Sequence, residues 1–284
     1  MVELTFRSME PFGAEVSGVA DPADLSAEQR ESLARALAER GVLVLRGLDP
    51  TPEQHVELTR VFGEPEIHPM ESIRMAGVPE IIELKVDLTD HVRGDDDGDR
   101  VIADIAWHAD LTYVEQPSRG ALLRAVDVPP VGGDTLWIDM AQVHSALPDH
   151  LRRRIAGLEV VHSLDDPRVA AHDEMTGAST TEFPPVVHPL VHRHPVSGEP
   201  VLNISPAFAR GIVGMDDEQS AALLGELAEF ATREEFIYRH RWTAGDVVVW
   251  DNWRTMHLAT GHPKRYRRYM RRTTIHGGTV LEAA

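Results

Sequence analysis

From Trp107 to Ile275 the chain is cut into short β-rich segments by proline and glycine, with Pro129-Pro130 and Gly132-Gly133 among the breaks. Many short strands joined by such turns, with a few helices outside them, favour a β-sandwich or a jelly roll. The expected fold is therefore mainly β with peripheral helices. Gly120 to Val126, Thr135 to Ile138, Glu159 to His162, Phe236 to Trp242, Asp246 to Trp250 and Tyr269 to Ile275 read as strands. Val187 to Leu202 reads as a hairpin around His194-Pro195-Val196-Ser197-Gly198, and Leu4 to Val19 as an early strand and turn.

The helices have local signals. Ser26 is a candidate N-cap with Gln29 at the capping-box position, and Leu33, Ala36 and Leu37 make an apolar stripe before Gly41 ends it. Gly41 to Gly47 encloses a continuous apolar run, which suits a buried strand. Thr51 caps a second helix through Phe62, with Pro52 in its first turn. Met140 to Ile155 and Asp216 to Arg233 read as further helices, and Ile81 to Val86 as a strand. Two polar stretches, Asp87 to Arg100 and Asp165 to Pro185, read as loops, and the second is long enough to act as a lid. With no repeat, low-complexity tract or linker, residues 1–284 are expected to form one domain.

Composition narrows the function. A formal charge of -18 argues against nucleic acid and anionic membranes, which both need a cationic face. The absence of cysteine excludes disulfides, thiolate metal sites and cysteine nucleophiles. No secretory leader pattern and no membrane-length apolar run is seen, so a cytoplasmic protein is expected.

Against this background, Trp107-His108-Ala109-Asp110 stands out. On an extended segment, residues two apart point to one face, so His108 and Asp110 offer an imidazole and a carboxylate together. That is two-thirds of the 2-His-1-carboxylate triad of non-haem Fe(II) sites. A second signal is the apolar strand from Gly245 to Trp250, which leads through a turn to His257. A third is Lys264 to Arg272, where six cations crowd into an acidic protein. If this is a strand, Arg268, Met270 and Arg272 share one face, with the two guanidiniums roughly 13 Å apart at about 3.3 Å per residue. Fixed cations there suit a carboxylate or sulfonate. The alternative is a charged edge strand protected against pairing.

Taken in order, Trp107-His108-Ala109-Asp110, Gly132-Gly133-Asp134-Thr135, Trp250-Asp251-Asn252 leading to His257, and the basic strand through Arg268, Arg272 and Thr274 resemble the TauD/TfdA family (taurine dioxygenase and 2,4-dichlorophenoxyacetate dioxygenase). Phe62-Gly63-Glu64, His194 to Gly198 and Tyr238 to Trp242 extend the resemblance over nearly the whole chain.

The resemblance implies a double-stranded β-helix (a cupin-like jelly roll) and a dioxygenase that uses Fe(II), 2-oxoglutarate and O2. By position it implies that His108, Asp110 and His257 ligate iron. It implies that the Thr135 hydroxyl and Arg268 bind 2-oxoglutarate, and that Arg272 and His68 meet the prime substrate, a small anionic organic molecule. Asp104 falls where the taurine enzyme has a pocket-lining Asn, and Glu71 where it has a substrate-contacting Tyr. Both changes disfavour a small sulfonate if those side chains face the pocket, while Phe230 to Thr274 is closer to the phenoxyacetate enzyme. The carboxylate at Asp110 implies hydroxylation rather than halogenation. Relatives also suggest a homo-oligomer, a dimer or tetramer. The rival readings are desaturation or epimerisation at the same site, or a catalytically silent binding protein on the same fold. His162, His188, His192 and His194 are expected to be structural, and Asp246 and Asp251 to serve turns.

Overall fold

The computed structural model describes residues 3–86, 101–164 and 183–284. The expected loop at Asp87–Arg100 and residues 165–182 of the expected lid lie outside them.

Two sheets face each other. The larger has nine strands, in the order Thr5–Ser8, Ala14–Ser17, Val42–Leu45, Val247–Asp251, Gly120–Asp127, Arg268–Ile275, Val78–Val86 and Arg74–Met75, with Pro65–Glu66 also paired to Arg268–Ile275. The smaller runs Ile237–His240, Thr135–Asp139, Thr255–Ala259, Ile105–His108. At the centre of the larger sheet neighbours are far apart in sequence, as the strand Val247–Asp251 shows, lying between Val42–Leu45 and Gly120–Asp127. This is the jelly roll expected from the sequence.

Period-two alternation divides the core into layers. Val42, Val44, Ala121, Leu123, Val248, Trp250 and Met270 point inward and meet Trp137 and Tyr238 of the smaller sheet. The alternate residues Leu43, Leu45, Leu122, Val247 and Val249 point outward, where Leu33, Leu37, Leu58 and Phe62 cover them. Their strands are continuous apolar runs because both faces are buried. On the far side, Ile138 and Met256 pack beneath Val143, Leu151, Leu223 and Leu227.

The two covering helices start as their sequences direct. Ala27–Arg40 has the Ser26/Gln29 capping box and ends at Gly41 with φ 74°, a conformation that suits glycine. Pro52–Arg60 has the Thr51/Gln54 box, but ends before the expected Phe62. The helix expected over Met140–Ile155 is two, Met140–Ala146 and Asp149–Ile155. Pro148 cannot continue the first, because the residue before a proline is pushed out of the helical region; Leu147 has ψ 139°. The expected hairpin also divides. Val191–Arg193 pairs with Pro200–Leu202, while Val186–Pro189 joins Glu159–His162 in a separate three-stranded sheet. Asp217–Ala231 is a helix capped by Asp216.

Candidate active site

The smaller sheet sets the first part of the site by register. His257 lies opposite both Trp137 and His108, so its imidazole and that of His108 share the inner face. Their rings are 4.1 Å apart. The strand stops at His108, so Asp110 is not held by strand geometry, as the two-residue spacing had suggested. It reaches the same point through a turn in which Leu111 takes φ 55°. His108 Nε2 is 3.7 Å from Asp110 Oδ1, and His257 Nε2 is 3.7 Å from Asp110 Oδ2. One ligand atom of each lies within 4.8 Å of the others, the one such group among the described residues.

The protonation states suit a cation. Burial holds both imidazoles below their ordinary value, His257 well below it. For Asp110, burial pushes the carboxyl up, but the charges of Arg272, His257 and His108 outweigh it and hold the group ionised. Neutral imidazoles and an ionised carboxylate are the forms that bind a metal. The Nδ1–H of His108 donates to Ala106 O at 2.7 Å, which leaves Nε2 as the lone-pair atom facing Asp110.

Across the sandwich, the inner face of Arg268–Ile275 carries Arg268, Met270 and Arg272, as the alternation implied. Arg272 Nη2 donates to Asp110 Oδ2 at 2.7 Å, and the guanidinium lies 5.4 Å from the Trp250 ring centre. Arg268 has no acid beside it among the described residues, and burial alone lowers its pKa to about 10. Gly133 lies against it: a Cβ there would come within 3.4 Å of Arg268 Nε and 2.9 Å of Pro129. Two residues on, Thr135 is buried and opposite Ala259, and its Oγ1 accepts from Trp242 Nε1 at 3.0 Å. That leaves its own hydroxyl proton free to be donated.

The remaining candidates are dispersed. His68 is half-buried and feels the Arg272 charge, and burial together with that charge lowers its pKa. Asp104 is exposed and makes no polar contact with the cluster among the described residues. Glu71 is also exposed and pairs with Arg74 at 3.5 Å, so neither puts a negative charge against the ligands here. On the flank of His108, the Phe208 ring stands perpendicular to the imidazole with centres 6.1 Å apart and packs with Tyr113, which meets Phe183.

Several residues given bland roles have them. His188 donates to Thr112 O, His192 to Trp253 O, and His194 faces Asp251 at 3.3 Å. Asp251 accepts from Trp253 N, and Asp246 from Thr243 N and Gly47 N. Three neighbours of the site were not singled out from the sequence, namely Phe208, Ser205 and Asn252. Ser205 accepts from Ala109 N, and Asn252 accepts from Asp110 N. Only Asn252 had a signal, its place in the Trp250-Asp251-Asn252 motif.

The family model described as "Taurine catabolism dioxygenase TauD, TfdA family" matches residues 5–274. The chain is 34% identical over 266 residues to the alpha-ketoglutarate-dependent 2,4-dichlorophenoxyacetate dioxygenase of Cupriavidus pinatubonensis, covering 90% of this chain and 91% of that one. It is 32% identical over 278 residues to the alpha-ketoglutarate-dependent sulfate ester dioxygenase of Pseudomonas putida, covering 94% and 87%. A crystal structure of a taurine dioxygenase from Burkholderia xenovorans superposes with a TM-score of 0.80 at 32% identity, covering 99% of this chain and 95% of that one.

Proposed function

This chain belongs to the TauD/TfdA family, and on that footing we propose that residues 1–284 form one catalytic domain in which His108, Asp110 and His257 hold Fe(II). The bound iron, with 2-oxoglutarate and O2, supplies the oxidation: the keto acid leaves as succinate and CO2, and a C–H bond of the substrate becomes C–OH. Alpha-ketoglutarate-dependent relatives include enzymes named for a phenoxyacetate and for sulfate esters. The prime substrate proposed here is of that kind, a small organic anion such as a phenoxyalkanoate, a sulfonate or a sulfate ester.

The chain's own residues divide the task. Arg268 takes the distal carboxylate of 2-oxoglutarate, since a desolvated guanidinium with no acid beside it among the described residues needs an anion to complete it. Thr135 donates its free hydroxyl proton to the same molecule. Arg272, beside Asp110 and near His68, takes the anionic end of the prime substrate. The Phe208 ring beside His108 gives the apolar end a wall to pack on. The observation that carries this reading is the convergence of His108, Asp110 and His257 at the His108↔His257 end of one ladder, facing a strand in which Arg268 has no acid beside it among the described residues.

The test is succinate formation with Fe(II), 2-oxoglutarate and O2, using phenoxyacetate, an alkyl sulfonate and an alkyl sulfate in parallel. The expected result is succinate and hydroxylated or cleaved product in equal amounts with at least one of the three. Succinate no faster with any of them than without would overturn the substrate class.

A further inference from the structure

Asp110 is the ligand that the fold does not hold by itself. The ladder between Ile105–His108 and Thr255–Ala259 reaches His257↔His108, and its register breaks on the Ala259 side. Past His108 the chain leaves the sheet and turns through Leu111 at φ 55°. A carboxylate on such a segment would move with it, and a small misplacement of a ligand is costly to a preorganised site.

Asn252 supplies the missing neighbour. Its Oδ1 accepts from Asp110 N at 2.7 Å, and its Nδ2 donates to Asp110 O at 2.8 Å. One side-chain amide thus makes both backbone bonds that an adjacent strand would offer, the donor and acceptor pattern of a closely paired antiparallel residue. The Nδ2 also donates to Ser118 O at 3.0 Å, which fixes the amide from a third direction. Ser205 holds the preceding residue, accepting from Ala109 N at 3.1 Å. Asn252, Ser205 and Ser118 are all buried, so water does not compete for these bonds.

The position of Asn252 in the chain adds to this. It stands in the turn between Val247–Asp251 and Thr255–Ala259, five residues before His257. Its side chain therefore ties the segment bearing His108 and Asp110 to the turn that leads to the third ligand. We propose that Asn252 is a positioning residue that mimics a strand partner for Asp110 and sets the spacing between the two halves of the metal site, with Ser205 as the secondary clamp. This rests on the reading that His108, Asp110 and His257 bind the metal.

The test is Co(II) affinity of the full chain, by anaerobic calorimetry and visible absorption, for wild type, Asn252→Ala, Asn252→Asp, Ser205→Ala and Asp110→Ala. Ser220→Ala is the control, since Ser220 Oγ also caps a buried amide, Ile212 N, at 3.0 Å, on the outer side of the fold. The expected result is a ten- to hundredfold weaker affinity in both Asn252 variants, the range for groups that orient a ligand. A smaller loss is expected in Ser205→Ala and none in Ser220→Ala, each judged on protein with native circular dichroism. Wild-type affinity in the folded Asn252 variants, with Asp110→Ala impaired, overturns the clamp alone. Wild-type affinity in Asp110→Ala overturns the ligand reading beneath it. Should the Asn252 variants not fold, amide exchange in the wild type decides: a protected Asp110 N–H supports the clamp, and exchange at the free-amide rate overturns it.

Discussion

Arg272 places Nη2 2.7 Å from Oδ2 of Asp110, so the cation assigned to the substrate already touches a proposed metal ligand. The pair joins the larger sheet to the turn that follows His108, and the Trp250 ring beneath the guanidinium limits where it can swing. An anion that binds Arg272 is therefore brought next to the cluster of His108, Asp110 and His257.

Removing that cation should be felt mainly in binding of the prime substrate. In Arg272→Met, which keeps an apolar stem against Trp250, KM for an accepted anion is expected to rise roughly ten- to a hundredfold. That corresponds to about 1.5–3 kcal/mol for a hydrogen bond to a charged group. Succinate release against substrate concentration measures it, and an unchanged KM would remove Arg272 from substrate binding.

A second buried pair holds the scaffold rather than the site. Arg254 donates to Asp139 Oδ2 at 2.9 and 3.0 Å and to Ala38 O at 3.2 Å, and also meets Glu199. Asp139 caps the helix Met140–Ala146, and burial pushes its carboxyl up even beside Arg254. Arg254→Met leaves that carboxylate without its cation, and is expected to cost about 3–5 kcal/mol in urea unfolding. A loss below about 1 kcal/mol would contradict this.

The structure also sets a direction for acid stability. Burial lowers His192 to about 4, while its Nε2–H donates to Trp253 O. The unfolded imidazole protonates near its ordinary value of 6.5 and the folded one only near 4. Between those values the unfolded chain binds the extra proton, so stability falls as pH falls through this window and is complete above it. His55 and His162, each lowered to about 3 by burial, add to the same trend. Unfolding free energy is expected to be flat above pH 7 and to fall below 6.5. In His192→Gln the slope near pH 5 should be shallower by about 1.4 kcal/mol per pH unit, one proton's worth. An equal slope in both proteins would show that His192 is not buried neutral.

Much of this was legible in the sequence because the signals were local. Ser26/Gln29 and Thr51 with Pro52 marked helix starts, and the glycines around Val42–Leu45 bounded a strand buried on both faces. The alternation Arg268, Met270, Arg272 gave the inner face of its strand. What was missed was of two kinds, one a local break and one a contact distant in sequence. Met140–Ile155 read as one helix, yet Pro148 divides it. The role of Asn252 toward Asp110 spans 142 positions, and no spacing pattern carries such a contact.

The most direct test is an anaerobic titration of the Fe(II)-loaded protein with 2-oxoglutarate, followed by the weak visible charge-transfer band of a chelated keto acid. His108→Ala and Arg268→Ala run beside the wild type. The band is expected in the wild type and absent in His108→Ala. In Arg268→Ala it should require at least tenfold more ligand, since the distal carboxylate loses its cation. No band in folded, iron-loaded wild type, or an identical titration in all three proteins, would contradict the assignment of His108, Asp110, His257 and Arg268.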